Sequence, residues 1–389
     1  MPPAFPLMSL YLDHNATTAV DERVLEAMRP YWRQHYGNPS SLHRPGRVAR
    51  AALDQAREQV AGLVNAHPSQ VIFTSGGTEA NNFALAGVVG NRPFGRLAVS
   101  AIEHSSLLLP ARAWAELGWG LDLIPVDSLG RVEPDTLKAV LRPDTRWVSI
   151  MLANNETGVV QNIVALSAVA RAAGAVMHCD AVQAAGKIAV DFAASGVQLM
   201  SLSAHKIYGP KGTGALIVDK ALDLRPLLHG GGHERGLRAG TENLSAIVGF
   251  GAAAQLAGEE WAGRHQHLLN LRERFEARLH AELPELLVVA REAERLPNTV
   301  MVAVPGIDGP SVLMNLDQVG IAVSSGSACM AGSTEPSHVL VAMGFAAELS
   351  RNVIRVSFGV DNTHADVDAL ITALHTLWAL VRNSALTAW

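Results

Sequence analysis

Three short segments place chemically useful residues directly after predicted strands. In FTSGGTEA (73–80), two glycines follow a strand and precede a helix, so backbone N–H groups are available to bind an anion such as a phosphate. Asp180, in HCDAVQ (178–183), ends an apolar run, and a buried carboxylate needs a cation or a hydrogen-bond donor. Lys206, in SAHKIYGPKG (203–212), follows another strand, and a desolvated amine there can act as a nucleophile.

Each segment taken singly also has an ordinary structural explanation. Glycines mark tight turns that bind nothing, aspartate is a common helix N-cap, and most lysines are solvated surface groups. Taken together, a phosphate site, a strand-end carboxylate and a turn lysine are what pyridoxal 5'-phosphate (PLP) requires. These groups bind its phosphate, pair with its pyridinium nitrogen and attach it covalently. The combination therefore predicts a PLP site.

The two cysteines of the chain have different sequence surroundings. Cys179 precedes Asp180 in an apolar run and is interpreted as core packing. Cys329 lies in SSGSACMAG (324–332), among small residues typical of an exposed and flexible loop, where a thiolate is accessible. Two cysteines are too few for a disulfide framework, and neither lies in a CxxC pair, so a reduced, cytoplasmic setting is favoured. Cys329 is the predicted nucleophile.

A parallel sheet is needed to bring these segments together. Short apolar runs alternate with helical patterns, of which 44–64 is the clearest and 133–142 another, and this alternation predicts helices on both faces of the sheet. The predicted strands are 71–74, 96–100, 121–125, 147–152, 175–179, 198–203 and 215–218. Past about residue 255 a smaller α+β domain is expected, with helices at 259–283, 310–319 and 365–380 and strands at 300–304, 320–323 and 353–357.

Composition narrows the class of protein further. The chain has 389 residues, which favours two domains, and its 49% hydrophobic and 17% charged residues exclude a disordered chain. A net charge of −5, with 31 basic and 36 acidic residues evenly mixed, argues against nucleic-acid or anionic-membrane binding. The N-terminus has no secretory-signal pattern, and the longest apolar stretch, 244–258, is shorter than the roughly 20 residues of a bilayer span.

Ten segments, in order along the chain, resemble the cysteine desulfurases of the NifS/IscS type within the class V aminotransferase-like PLP enzymes. They are YLDHNATT (11–18), GNPSSLH (37–43), TSGGTEANN (74–82), EHSS (103–106), NNETG (154–158), HCDAVQ (178–183), SAHKIYGPKG (203–212), GGGHERGLRAGTEN (230–243), SSGSACMAG (324–332) and IRVSFG (354–359). The resemblance implies the α/β fold of PLP-dependent transferases, like that of aspartate aminotransferase. It has a large, mainly parallel-sheet domain (15–255) and a small α+β domain (1–14 and 256–389) that carries the Cys loop (324–335) and Arg355.

The resemblance also implies a role for each matching residue around PLP. Lys206 would bind PLP covalently, Asp180 would pair with the pyridine nitrogen, and His104 would stack on the ring and move protons. The other ligands would be Gln183 at the phenolic oxygen, Asn155 at the ring oxygen or the substrate, and Gly77, Thr78, Ser203, His205 and the partner subunit's Thr241 around the phosphate.

Substrate binding and sulfur transfer are implied in the same way. Arg355 would bind the substrate carboxylate in a bidentate pair, helped by Asn38, although an ordinary strand arginine on the solvent face is the alternative. Cys329 would accept the sulfur as a persulfide and could transiently ligate a nascent iron–sulfur cluster. No resident metal site is expected.

The implied reaction converts L-cysteine to L-alanine in a homodimer, and the sulfur passes to acceptor proteins such as an iron–sulfur scaffold. The resting protein is predicted to hold Cys329 well away from Lys206, on an exposed loop. Two alternatives stay open. One is a selenocysteine lyase or another class V PLP enzyme. The other is an inactive PLP-fold binding or regulatory protein, which the intact Lys206, Asp180, His104 and Cys329 disfavour.

Overall fold

The computed structural model describes residues 10–325 and 335–386, which form sheets of seven, four and two strands surrounded by helices. The strands are β1 Leu10–Tyr11, β2 Val71–Thr74, β3 Arg96–Ser100, β4 Gly120–Ile124, β5 Thr145–Ser149, β6 Val176–Asp180, β7 Leu199–Ser203, β8 Gly214–Val218, β9 Leu287–Val288, β10 Thr299–Ala303, β11 Ile321–Ala322, β12 Ser324–Ser325 and β13 Val353–Ser357. The helices are α1 Glu22–Met28, α2 Pro30–Arg33, α3 Arg44–Leu63, α4 Gly77–Val89, α5 Ser105–Glu116, α6 Pro134–Val140, α7 Ile163–Ala172, α8 Phe192–Ser195, α9 Leu244–Glu282, α10 Gly309–Gln318, α11 His338–Ala342 and α12 His364–Leu386.

The larger sheet has seven strands in the order β2-β8-β7-β6-β5-β3-β4. Its neighbouring strands are parallel except around β8, which runs antiparallel to both β2 and β7. All residues of β2, β6, β7 and β8 are buried, as expected for strands covered on both faces. The predicted mainly parallel α/β sheet is confirmed.

Two hydrophobic cores lie on the two faces of this sheet. In β6, Val176 packs into the core that includes α4 and α5, whereas Met177 and Cys179 pack into the core that includes α3 and the first half of α9. This division follows from the strand geometry, in which successive side chains point to opposite faces. Cys179 is fully buried, which confirms its interpretation as core packing.

The smaller sheet is antiparallel, in the order β12-β13-β10-β9. The short strand β1, near the start of the chain, pairs in parallel with β11. A separate hydrophobic core lies under this region and includes Leu12, Phe275, Phe358 and Leu370. The beginning and the end of the described chain therefore fold together.

Helix α9 joins the two regions and spans 39 residues. Ile247 and Phe250 in its first half pack in the core of the large sheet, and Leu271 and Phe275 in its second half pack in the core of the small one. The predicted helix (259–283) is only the second half, because the Ala- and Gly-rich first half lacks the charges that reveal a helical period. The domain boundary at 255–256, which remains a prediction, falls inside this helix. No described helix, α9 included, combines the length and the apolar character needed to cross a membrane.

Candidate active site

A cavity of about 320 Å³ lies at the carboxyl ends of the large sheet's strands, next to the small sheet. Ligands of open α/β sheets bind at this edge. Ten residues predicted from the sequence line the cavity together, namely Gly77, Thr78, His104, Asn155, Asp180, Gln183, Ser203, His205, Lys206 and Arg355. The fold therefore gathers residues from six segments around a single space.

Asp180 is the last residue of β6 and is buried. Its Oδ2 accepts a hydrogen bond from Asn81 Nδ2 at 2.8 Å, and its Oδ1 accepts one from the Val182 backbone N–H at 2.9 Å. Residues 182–187 form turns, so Asp180 is not the N-cap of a regular helix. The two donors hold the carboxylate at the cavity wall, where it can pair with a cationic ring nitrogen.

Lys206 ends a short 3₁₀ turn, Ala204–Lys206, that directly follows β7. Its Nζ donates to the backbone oxygen of Asn15 and, at 2.8 Å, to that of Ala16. Because the amine lines the cavity and is bonded to backbone oxygens, it is not an ordinary solvated surface lysine. Its position suits covalent attachment of a carbonyl group bound in the cavity.

His104 is the N-cap residue of α5. Its Nδ1 accepts from the Ser106 backbone N–H at 3.2 Å and lies 2.7 Å from the Ser106 Oγ. Burial lowers the pKa of the imidazole, and Lys206 lowers it further, while the Asp180 carboxylate raises it. Since Nδ1 accepts a hydrogen bond, the neutral ring carries its proton on Nε2.

Asn81 and Ser106 connect Asp180 to His104, and the sequence analysis did not identify either of them. Asn81 Nδ2 donates to Asp180 Oδ2 and to Ser106 Oγ, both at 2.8 Å. The Ser106 hydroxyl in turn contacts the His104 ring. Both residues are buried within segments that carried the family resemblance, TSGGTEANN and EHSS, and this was the available signal.

The residues predicted around the phosphate surround one end of the cavity. Gly76 adopts φ +154°, a conformation open essentially only to glycine, and α4 begins after it with no side-chain cap for its first N–H groups. The buried Ser203 Oγ has no hydrogen-bond partner among the described residues. Burial, Lys206 and Lys211 lower the pKa of His205 to about 4. Donors without acceptors at a helix start suit a phosphate, so the residues present fit PLP.

Arg355 reaches the cavity from the middle of β13 and is 2% exposed. One guanidinium nitrogen lies 2.6 Å from Asp13 Oδ1, and another donates to the Asn155 backbone oxygen at 2.9 Å. The alternative of a solvent-facing strand arginine is therefore wrong. The guanidinium is held in position at the cavity, where a carboxylate can bind.

Three predicted residues are not placed at the cavity by the described structure. Asn38 and Thr241 are exposed and are not among its lining residues, and the Asn38 Oδ1 accepts a hydrogen bond from the Ser40 backbone N–H. Cys329 lies outside the described residues, so its predicted resting position stays a prediction.

Two buried ionisable groups near the cavity were also missed from the sequence. Lys187 Nζ donates to Asn15 Oδ1 at 2.9 Å and to Gln183 Oε1 at 2.8 Å, and burial is the main cause that lowers its pKa well below the usual range. Burial and the Asp180 charge raise the pKa of Glu103, whose Oε1 accepts from the Met151 backbone N–H. Neither lines the cavity. Within residues 10–325 and 335–386, no cluster of three or more His, Cys, Asp or Glu is arranged to hold a metal ion.

Comparison with known proteins identifies the family of the chain. The family model for class-V aminotransferases matches residues 10–370. The chain is 41% identical over 376 residues to the cysteine desulfurase IscS of Dictyoglomus turgidum, covering 96% of this chain and 95% of that protein. A solved structure described as a NifS-like protein has a TM-score of 0.90 and 36% identity, covering 96% of this chain and all of that one. Another, of SspA in complex with cysteine, has a TM-score of 0.79 and 32% identity, covering 90% and 98%.

The chain therefore belongs to the class-V aminotransferases, which are PLP-dependent enzymes, and within them to the cysteine desulfurases of the NifS/IscS type. The predicted fold, cofactor and family are confirmed.

Proposed function

We propose that this chain converts L-cysteine to L-alanine and carries the released sulfur as a persulfide on Cys329. The observation that carries the proposal is the meeting of Lys206, Asp180, His104 and Arg355 at one cavity. An amine for covalent attachment, a carboxylate, a neutral imidazole and a guanidinium are the groups that binding and deprotonating an amino acid on PLP require.

Three sets of residues hold PLP in this proposal. Lys206 Nζ would bind it covalently, Asp180 would accept the hydrogen bond of its pyridine nitrogen, and Gln183 would donate to its phenolic oxygen. The N–H groups of Gly77 and Thr78 and the side chains of Ser203 and His205 would hold its phosphate. Bound in this way, PLP supplies an electron sink for the bonds made by the substrate's Cα.

Arg355 binds the substrate carboxylate, and Asn155 lines the same cavity. The Lys206 amine accepts the proton from the substrate's Cα. His104 donates the proton that its Nε2 carries, since the hydrogen bonds of Nδ1 leave Nε2 protonated. The Cys329 thiolate attacks the sulfur of cysteine, so the substrate C–S bond breaks, an S–S bond forms on Cys329, and the carbon fragment takes up a proton to become alanine.

The anchoring of the Cys329 segment supports this assignment. The segment leaves β12, where Ser324 is the register partner of Arg355, and it returns at Ser337, whose Oγ donates to Glu156 Oε2 at 2.6 Å. His338 follows, with its Nε2 3.0 Å from the Glu103 backbone oxygen. Ser324 therefore pairs with a cavity residue, and Ser337 and His338 contact Glu156 and Glu103, which are the sequence neighbours of the cavity residues Asn155 and His104. Cys329 comes four positions after Ser325 in the sequence, and a chain of four residue steps reaches at most about 14 Å.

The decisive experiment compares Cys329→Ala with Cys179→Ala in the PLP-loaded enzyme. With L-cysteine and a reducing thiol, we expect Cys329→Ala to bind cysteine but to form alanine and sulfide at least about 100-fold more slowly, since the nucleophile is gone. Cys179→Ala, which changes a buried core thiol, should keep the persulfide on Cys329, seen by mass spectrometry as one added sulfur atom. Ordinary alanine production by Cys329→Ala would remove the basis of the proposal.

We also propose a homodimer with composite sites, in which the partner subunit's Thr241 completes the phosphate site. In its own chain Thr241 is exposed and does not line the described cavity, so its hydroxyl is available to a second copy. Twofold dimers are the commonest protein oligomers.

Mixing two inactive variants tests the composite site. Lys206→Ala removes the amine, and Thr241→Asp repels the phosphate. In a mixed dimer with composite sites, one of the two sites receives both wild-type residues. Because about half of the dimers formed by co-refolding equal amounts are mixed, about a quarter of the wild-type activity should be restored. No recovery in dimers shown to be mixed, or full activity of a monomer, would contradict the proposal.

Acceptor proteins such as an iron–sulfur scaffold, in a cytoplasmic setting, complete the proposed role. The scarcity of cysteines supports a reducing compartment, since the chain has only two. Incubating the Cys329 persulfide with a candidate scaffold and following the labelled sulfur tests this part separately. Sulfur that stays on Cys329 in the presence of the scaffold counts against that acceptor.

A further inference from the structure

Lys187 carries a buried side-chain amine that the proposed mechanism leaves unused. It lies in the turns after β6 and is 6% exposed. Among the residues that the structure describes, it forms no ion pair with a carboxylate. Its Nζ instead donates to two side-chain amide oxygens, Gln183 Oε1 at 2.8 Å and Asn15 Oδ1 at 2.9 Å. Burying an amine is costly, so these two bonds point to a defined role.

The contact with Gln183 determines which way round that amide lies. Lys187 donates, so the atom facing it is the oxygen. On the other side, the Gln183 Nε2 donates to the Asn15 backbone oxygen at 2.9 Å. Rotating the amide by half a turn would place the Gln183 oxygen against the Asn15 backbone oxygen and the Gln183 nitrogen against the Lys187 amine. Since Nε2 carries two hydrogens, one remains for the cavity that Gln183 lines.

We propose that Lys187 is a positioning residue that holds the Gln183 amide with its nitrogen, not its oxygen, presented to PLP. This inference rests on the proposed function, in which Gln183 donates to the phenolic oxygen of PLP. It adds a residue that does not line the cavity to the set that determines how tightly PLP is held.

A competing route from Lys187 to the site runs through Asn15. The Asn15 backbone oxygen accepts from Lys206 Nζ, and its side-chain oxygen accepts from both Lys187 and Asn298 Nδ2. If Lys187 acted by fixing Asn15, removing the Asn298 donor would have a comparable effect. Asn298→Ala is therefore the matched control, because it removes a donor from the same Asn15 oxygen and leaves Gln183 untouched.

The test measures the dissociation constant of PLP from the apoprotein and the absorbance maximum of bound PLP. The variants are Lys187→Met, Gln183→Leu, their combination, and Asn298→Ala. We expect Lys187→Met to weaken PLP binding about 3- to 10-fold, the loss of one hydrogen bond, and to move the absorbance maximum in the same direction as Gln183→Leu. The double variant should match Gln183→Leu within about 2-fold, and Asn298→Ala should stay within about 2-fold of wild type.

Several outcomes would overturn the inference. Wild-type PLP affinity in Lys187→Met would do so, as would a double variant clearly weaker than Gln183→Leu. If Lys187→Met does not fold, the double variant still decides, because replacing both partners leaves no unpaired amide oxygen at Gln183. If Gln183→Leu leaves the PLP affinity and spectrum unchanged, the proposed role of Gln183 is overturned as well. If Gln183→Leu changes them but Lys187→Met does not, only the role of Lys187 is overturned.

Discussion

The large and the small sheet contribute to the cavity in different ways. Asp180 ends β6 and Lys206 follows the end of β7, so strand ends at one edge of the large sheet deliver both. Arg355 lies instead in the middle of β13, and its guanidinium is held by Asp13, from the beginning of the described chain, and by Asn155. Topology places the first two residues, whereas docking between distant segments places the third.

This difference determines which substitutions should disturb Asp180 and Lys206 and which should disturb Arg355. Asp180 is anchored within the large sheet and its adjoining loops. Lys206 follows a strand of the same sheet, and its amine also donates to Asn15 and Ala16 near the start of the described chain. The position of Arg355 depends on the packing of β1, β11 and β13 over the second half of α9. Substitutions on the two sides should therefore separate the chemistry of the large-sheet edge from the binding function of the small sheet.

The largest effect is expected at the large-sheet edge, for Lys206→Ala. Without the ε-amine, no covalent bond to PLP forms and turnover is abolished. Borohydride treatment followed by mass spectrometry measures the bond as an added PLP mass. Lys211→Ala, which changes an exposed lysine five residues further along the chain, is the control and should keep the adduct. An adduct retained by Lys206→Ala would show that another lysine holds PLP.

An intermediate effect is expected at the small sheet, for Arg355→Lys. The charge remains, but the paired geometry toward a carboxylate is lost, so kcat/KM for L-cysteine should fall about 10- to 100-fold, mainly through a higher KM. The absorbance of bound PLP should not change. Arg351→Lys, at an exposed position just before β13, serves as the control. A lower kcat with an unchanged KM would instead place Arg355 in the chemical step.

The smallest effect is expected for Glu103→Gln, which tests stability behind the large-sheet edge. Because burial raises the pKa of Glu103, its contribution to stability is present below the ordinary carboxyl pKa of about 4.3 and is lost as the pH rises through the raised value. Because glutamine is neutral at every pH, the variant does not lose stability through ionisation of this side chain. Thermal unfolding should therefore show a smaller fall in stability from pH 5 to pH 8 than wild type, by on the order of 1 kcal/mol.

Glu116→Gln is the control, because Glu116 is an exposed carboxylate on α5, the helix that His104 caps. Its stability should follow the wild-type pH profile. Identical profiles for Glu103→Gln and wild type would mean that Glu103 is ionised in the folded protein.

Local patterns in the sequence predict much of the fold and several of the residues at the large-sheet edge. Strand residues buried on both faces read as continuous apolar runs, and a glycine turn, an aspartate or a lysine directly after such a run marks the ligand edge. Residues 71–74, 96–100 and 353–357 were predicted as strands with the bounds that the structure has. The family resemblance then supplied roles for residues such as His104.

Contacts between distant segments were not predictable in this way. Nothing near Arg355 in the chain indicates that Asp13 holds it, and nothing near Lys187 indicates that its amine donates to Asn15. Likewise, residues 244–258 have too few charges to reveal that α9 begins there. Periodicity in the sequence indicates which face of an element is buried. It does not indicate a hydrogen bond to a partner hundreds of residues away, because that bond forms only when packing brings both groups together and excludes water.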